Sequence, residues 1–139
     1  MDNATKPERS NMAAFNLLLE DGNVLQRVRY QMFDQRMVSC VFLSFSGDHS
    51  LSVAVDQDTD QLVVLDSRLE ETTEDASSAS PWRGAIGRPL YAAWILENHN
   101  GYADALQLEF RAAAREEPRT IQLQGAGSTI RISLVVETN

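Results

Sequence analysis

The chain has 139 residues, 43% of them hydrophobic and 23% charged, and a formal net charge of −8. That is the size of one domain, long enough to bury a core without metal or disulfide support. Its 12 Lys and Arg residues are scattered, which argues against nucleic acid or an anionic membrane surface as a partner, since both need a concentrated basic patch.

Residues 1–10 are polar, include Pro7, and are predicted to form a disordered tail without the apolar core of a secretory signal. No stretch approaches the ~20 apolar residues of a membrane span. Met12, Phe15, Leu18 and Leu19 recur at helical spacing, with Asn11 placed to start a helix and Gly22 to end it, so a short helix is predicted at 11–20. Asp21-Gly22 reads equally as a hairpin corner.

From Val24 onward the pattern is that of strands, at 24–33, 37–45, 50–55 and 61–65. The run at 37–45 is almost continuously apolar, as in a central strand. It contains Cys40, the only cysteine. Cys40 reads as a small buried hydrophobe. A chain with one cysteine has no intrachain disulfide, so a cytoplasmic location is expected. Leu51, Val53 and Val55 share one face of the third strand. His49 falls in the turn before it and is expected in solvent. The connections are too short for crossover helices, so the strands should run antiparallel.

Residues 66–81, rich in Ser and acidic side chains, read as a solvated loop with room for a helical turn at 67–72. Two further hairpins follow. "LYAAWILE" (90–97) pairs with "YADALQLEF" (102–110), and "RTIQLQ" (119–124) pairs with "STIRISLVVE" (128–137) across Gly-Ala-Gly. Residues 111–118 connect them, with helical character ended by Pro118. Ile130, Ile132, Leu134 and Val136 line one face of the last strand. The fold class is therefore mainly β, α+β at most. Residues 11–139 should form a single domain, an antiparallel meander of seven or eight strands in a small barrel or sandwich with one or two short helices.

The hairpin around "NHNGY" carries the candidate site. Asn100-Gly101 suits a two-residue type I′ turn. That turn would set His99 against Tyr102, Glu97 against Asp104, Ile95 against Leu106, Ala93 against Leu108 and Tyr91 against Phe110, all on the core-facing side. Like charges opposite one another destabilise a sheet. Three readings stand for Glu97 and Asp104. They are solvated at the sheet end, with Asn98 and Asp104 bonding turn backbone. Or one is protonated beside the other. Or a cation or basic group sits between them, with His99 as a further ligand or proton carrier. The candidate binding set is Trp94, Glu97, Asn98, His99, Tyr102 and Asp104. Trp94, beside Leu96 on the mixed face, is the candidate for an exposed apolar patch.

No other motif assembles chemistry. Asp56, Asp58 and Asp60 resemble the opening of a calcium loop but lack its later glycine and glutamate. "GAIGRP" (84–89) and "GAGS" (125–128) do not open long helices, so they are not phosphate cradles. Ser128 lacks a nucleophile-elbow context. No catalytic set, metal set or cofactor motif is expected.

Trp94, Asn98, Gly101, Tyr102, Asp104, Leu106 and Phe110 form the pattern W-x3-N-x2-G-Y-x-D-x-L-x3-F. With it, roughly residues 24–136 resemble a family of small bacterial proteins carrying a domain of unknown function. The resemblance implies a bacterial source, a single small domain and no assigned activity. It also suggests a stand-alone cytosolic protein of the immunity or accessory type. The expected role is protein binding, with a basic partner suited to the negative charge. The alternative is a small-ligand binder or enzyme using the 97–104 hairpin. A homodimer through an edge strand is a further expectation.

Overall fold

The computed structural model describes residues 7–32, 34, 36–56, 58–66, 73–113 and 117–135. Helix α1 spans Pro7–Asp21, so it begins within the segment expected to be a disordered tail; residues 1–6 lie outside the described residues. Phe15 and Leu18 supply its buried stripe. Gly22 ends it at φ 66°, its N–H returning to the Leu18 carbonyl at 3.2 Å. A left-handed residue after the last turn is the usual helix stop, and glycine adopts it without strain. The helix displaces the hairpin reading of Asp21-Gly22.

The strands are β1 (Leu25–Met32), β2 (Val38–Phe45), β3 (His49–Val55), β4 (Leu62–Asp66), β5 (Glu74–Asp75), β6 (Leu90–Glu97), β7 (Ala103–Phe110), β8 (Arg119–Ala126) and β9 (Thr129–Val135). They form one antiparallel sheet curled into a half-barrel. β1 to β4 make one meander and β6 to β9 another, each hairpin placing sequence neighbours side by side. A single pairing, Val38 with Ile130, joins β2 to β9 and the two meanders into one sheet. β2 is central as expected, paired along its length with β1 and β3. Cys40, on β2, is half-buried rather than fully enclosed, and His49 is also half-buried. The C-terminal strand fades outward: Ile130 is buried, Ile132 packs on the core and Leu134 is 37% exposed. Val136 lies outside the described residues.

The 66–81 segment departs from a solvated loop. Residues 67–72, and with them the expected helical turn, lie outside the described residues. Beyond them the chain follows the free edge of β1. β5 pairs Asp75 with Arg29 and Glu74 with Tyr30. The Ala76 N–H donates to the Val28 carbonyl at 2.8 Å, and the Ser77 hydroxyl accepts from the Val28 N–H at 2.9 Å. Arg29 binds Thr73 twice, at its hydroxyl and its carbonyl. Thr73 and Ala76 are buried. A 3-10 turn at Trp82–Gly84 then sinks Trp82, fully buried, with its Nε1–H donating to the Tyr30 hydroxyl at 2.6 Å. Gly87 and Arg88 exchange backbone hydrogen bonds with Leu25, and Val24 bridges Pro89. Residues 73–89 thus carry the chain along β1 to the start of β6, covering the edge between the meanders. Polar composition concealed this because the segment is held by β1 backbone more than by its own apolar residues.

Inside the curl lie Val28, Val41, Leu43, Val53, Leu62, Leu106, Leu108, Phe110, Ile121 and Leu123, all fully buried. α1 packs chiefly against β4 and also touches β6. Phe15 and Leu18 join the same core cluster. The connection at 111–113 is a bend rather than helix, and 114–116 lie outside the described residues.

Candidate functional site

The β6–β7 hairpin keeps its expected central register: Ile95 faces Leu106, Ala93 faces Leu108 and Trp94 faces Gln107. Both ends depart from it. At the turn, the Gly101 N–H donates to the Asn98 carbonyl and the Asn98 N–H to the Tyr102 carbonyl, each at 2.9 Å. Gly101 has φ 81°, whereas Asn100 is absent from the positive-φ residues. A type I′ turn needs positive φ at both central positions, so that turn is excluded. The loop is three residues long, His99 to Gly101, with a type I turn closed by a glycine bulge. Asn98 completes it, its Oδ1 accepting from the N–H groups of Asn100 at 2.9 Å and Tyr102 at 3.2 Å.

The extra loop residue changes every pairing at the tip. Glu97 faces Ala103, not Asp104. Asp104 becomes the additional residue on β7, and this second bulge restores the register from Leu96 inward. The expected juxtaposition of two carboxylates does not form, and His99 does not face Tyr102. Glu97 and His99 are exposed, Tyr102 is 48% exposed, and Asn98 and Asp104 are half-buried. Of the reading that solvates the pair with Asn98 and Asp104 bonding the turn, the geometry matches exposed Glu97 and the Asn98 cap, whereas Asp104 is half-buried in the β7 bulge. Nearby, Asp56 organises its own turn, its Oδ1 accepting from the Asp58 N–H at 3.0 Å. The Gln61 side-chain carbonyl accepts from the Ala103 N–H at 3.0 Å and so brings this acidic turn beside the hairpin. Among the described residues no group of three or more His, Cys, Asp or Glu is arranged to hold a metal ion.

At the other end of β6, Tyr91 is the extra residue between Leu90, which faces Phe110, and Ala92, which faces Glu109. Tyr91 therefore does not face Phe110. It is 43% exposed, and the Arg111 guanidinium carbon lies 4.4 Å from its ring centroid. Such stacking on an aromatic face is a favoured arginine environment. Arg111 Nε also approaches Glu109 Oε2 at 2.5 Å, an ion pair whose angles are not those of a hydrogen bond. Glu109 is 7% exposed. Removing the guanidinium would leave a buried carboxylate uncompensated, which is far costlier than losing an exposed pair.

These residues belong to the outer face of β6, β7 and β8. Leu106, Leu108 and Phe110 point inward, so Ala105, Gln107 and Glu109 point outward. Trp94 pairs with Gln107, whose Nε2 donates to Gln122 Oε1 at 2.8 Å. Leu96, opposite Ala105, extends the face toward the tip. Trp94 is 46% exposed at the centre of the strand. The exposure of Trp94 follows from strand alternation, while Leu96, expected to share an exposed patch with it, is half-buried. Tyr91, Glu109 and Arg111 were not singled out, although Glu109 and Arg111, two apart at the strand end, are spaced to share a face.

Among the described residues no helix is long and apolar enough to cross a membrane. No curated protein and no solved structure matches the chain. A protein-family model matches residues 11–139, nearly the whole described molecule, and the chain belongs to that family of unknown function, DUF6334.

Proposed function

We propose that the chain is a small bacterial, cytoplasmic interaction protein that binds another protein through the outer face of β6, β7 and β8. The observation that carries this reading is Trp94. An indole left 46% exposed at mid-strand forgoes burial that would otherwise stabilise the fold, and exposed Trp flanked by Tyr and Arg has the composition of an interface hot spot. Tyr91 and Leu96 flank it on β6, and Arg111, the residue after β7, stacks on Tyr91. The Glu109–Arg111 pair and the Gln107–Gln122 hydrogen bond hold the surrounding side chains in place, so little entropy is lost on docking. The net charge of −8 favours a basic partner and faster association with it. An immunity or accessory role would fit a small acidic binder of this kind.

The test compares the wild-type chain with Trp94→Ala as baits in extract from cells that naturally make the protein. A partner held by the wild type and lost from the variant is the expected result, with association slowing as salt rises. Equal recovery of every bound protein by the two baits would overturn the reading.

A further inference from the structure

Arg27 and Arg29 approach Asp75, and Arg111 approaches Glu109. Arg119 differs from them. It is half-buried in a chain with 20 acidic side chains, yet among the described residues it meets no carboxylate and no hydrogen-bond acceptor. Its place is fixed by the sheet. Arg119 begins β8 opposite Phe110, which is fully buried, so its side chain leaves from the inner face. There it reaches the Trp82–Gly84 turn. A Cβ at Gly84 would overlap Nε, Cζ and Nη2 of Arg119, so the guanidinium rests on bare backbone. Its nitrogens are not enclosed, which leaves the edge of the group open to solvent. Arg83 precedes Gly84 and is exposed. Arg88 Nη1 donates to the Glu117 carbonyl at 3.1 Å, tying the same turn to the residues that lead into β8.

We infer that Arg119, seated on Gly84 with Arg83 and Arg88 in the adjoining turn, binds the phosphate group of a small ligand. A guanidinium offers a fork of N–H donors that matches two oxygens of a phosphate, and such charge-assisted bonds are strong. Holding the group against Gly84 reduces the rotamer freedom lost on binding. Arg83 and Arg88 add positive charge, which favours a doubly charged oxyanion over a singly charged carboxylate. That charge comes from side chains, because the 84–89 segment opens no long helix whose N-terminus could cradle a phosphate. The ligand is small because the net charge of −8 repels an extended polyanion from the rest of the surface. Glu117, the acidic side chain beside this region, is exposed, so solvent screens its charge. Arg119 leaves the inner face of the sheet, whereas Trp94 stands on the outer face, so this site is separate from the one assigned to protein binding.

Isothermal titration calorimetry reads the site with inorganic phosphate and with phenyl phosphate, each against chloride at equal ionic strength and pH. Saturable binding at a single site is expected. Tighter binding of phenyl phosphate assigns the group to an organic ligand, and equal or weaker binding assigns it to free phosphate. Arg119→Gln should weaken binding about tenfold or more, and Arg119→Lys, which keeps the charge without the fork, by a smaller factor. Gly84→Ala displaces the guanidinium and should weaken binding as well. Arg36→Gln removes the same charge near the far end of β8, where Val38 pairs with Ile130 and Ile130 with Gly125, and should leave the affinity unchanged. Circular dichroism checks that each variant is folded at the titration temperature; should Arg119→Gln fail to fold, Arg119→Lys carries the same comparison. Binding of both phosphates no stronger than that of chloride, affinity indifferent to the Arg119 variants, or equal losses at Arg119 and Arg36 would each overturn the inference. None of these readouts depends on partner capture, so the two proposals fail separately.

Discussion

Tyr30 shows how one polar atom can bind a buried aromatic to the sheet. Its hydroxyl accepts the Trp82 Nε1–H at 2.6 Å, which satisfies the donor of a side chain with no exposure. Burial pushes the Tyr30 pKa above its ordinary value, and the Trp82 hydrogen bond pulls only partly the other way. The sign of the linkage follows. Below a pH of about 10 Tyr30 is protonated in both the folded and unfolded chain, so its contribution is intact. As pH rises further the unfolded chain ionises first, and stability falls through the folded-state pKa. Denaturant midpoints should therefore drop above pH ~10, and Tyr30→Phe should make that drop shallower. The same variant should cost about 1–3 kcal/mol at neutral pH by orphaning the buried indole N–H. An unchanged alkaline slope would mean that other groups govern it. Asp75 works in the opposite sense at the acid side: the Ser77 backbone N–H, then its hydroxyl, then Arg27 and Arg29 hold its pKa down. Its carboxylate is about half exposed, so solvent screens much of that effect.

At the scale of elements, alternation located the strands well because each has one face on the core. Leu51 and Val53, or Leu106, Leu108 and Phe110, are inward in the structure as in the pattern. The hairpin tip escaped for a specific reason. A three-residue loop shifts the register by one, and the Asp104 bulge shifts it back. The apolar residues beyond are therefore paired as a two-residue turn would pair them, and only the polar residues between the two irregularities differ. Those were the residues on which the candidate carboxylate site depended. β5 escaped because its pairing with β1 joins residues more than forty positions apart, which no local period reveals. The revised turn makes its own prediction. Gly101 has φ 81° and nothing near the position a Cβ would take, so Gly101→Ala meets conformational strain alone. It should cost about 1–2 kcal/mol, seen as a fall in melting temperature of roughly 3–7 °C, with Gly101→Asn less affected because Asn tolerates this region better. No shift in either variant would argue that the turn adopts another form.

For the molecule as a whole, the question is whether α1 is an ornament on the sheet or part of its core. A curled sheet that closes only partway leaves apolar side chains facing the gap. Phe15 is fully buried, Leu18 is 1% exposed, and both belong to the cluster that includes Leu62, Val64, Leu106 and Ile121. Helix and sheet therefore bury a common surface, and neither has a separate core to retreat to. A core shared in this way unfolds as one unit. Phe15→Ala removes a large side chain from that contact and should cost about 3–5 kcal/mol, a large fraction of the stability of an ordinary domain, about 5–15 kcal/mol. The decisive feature is how the loss is distributed. Far-ultraviolet circular dichroism follows sheet and helix together, while Trp82, buried on the β1 side, follows that part of the core by fluorescence. In a Trp94→Phe background, to silence the exposed indole, both signals should move to the same lower midpoint in Phe15→Ala. If the helical signal alone were lost early while Trp82 kept its original transition, α1 would be a docked segment and the half-barrel a complete fold without it.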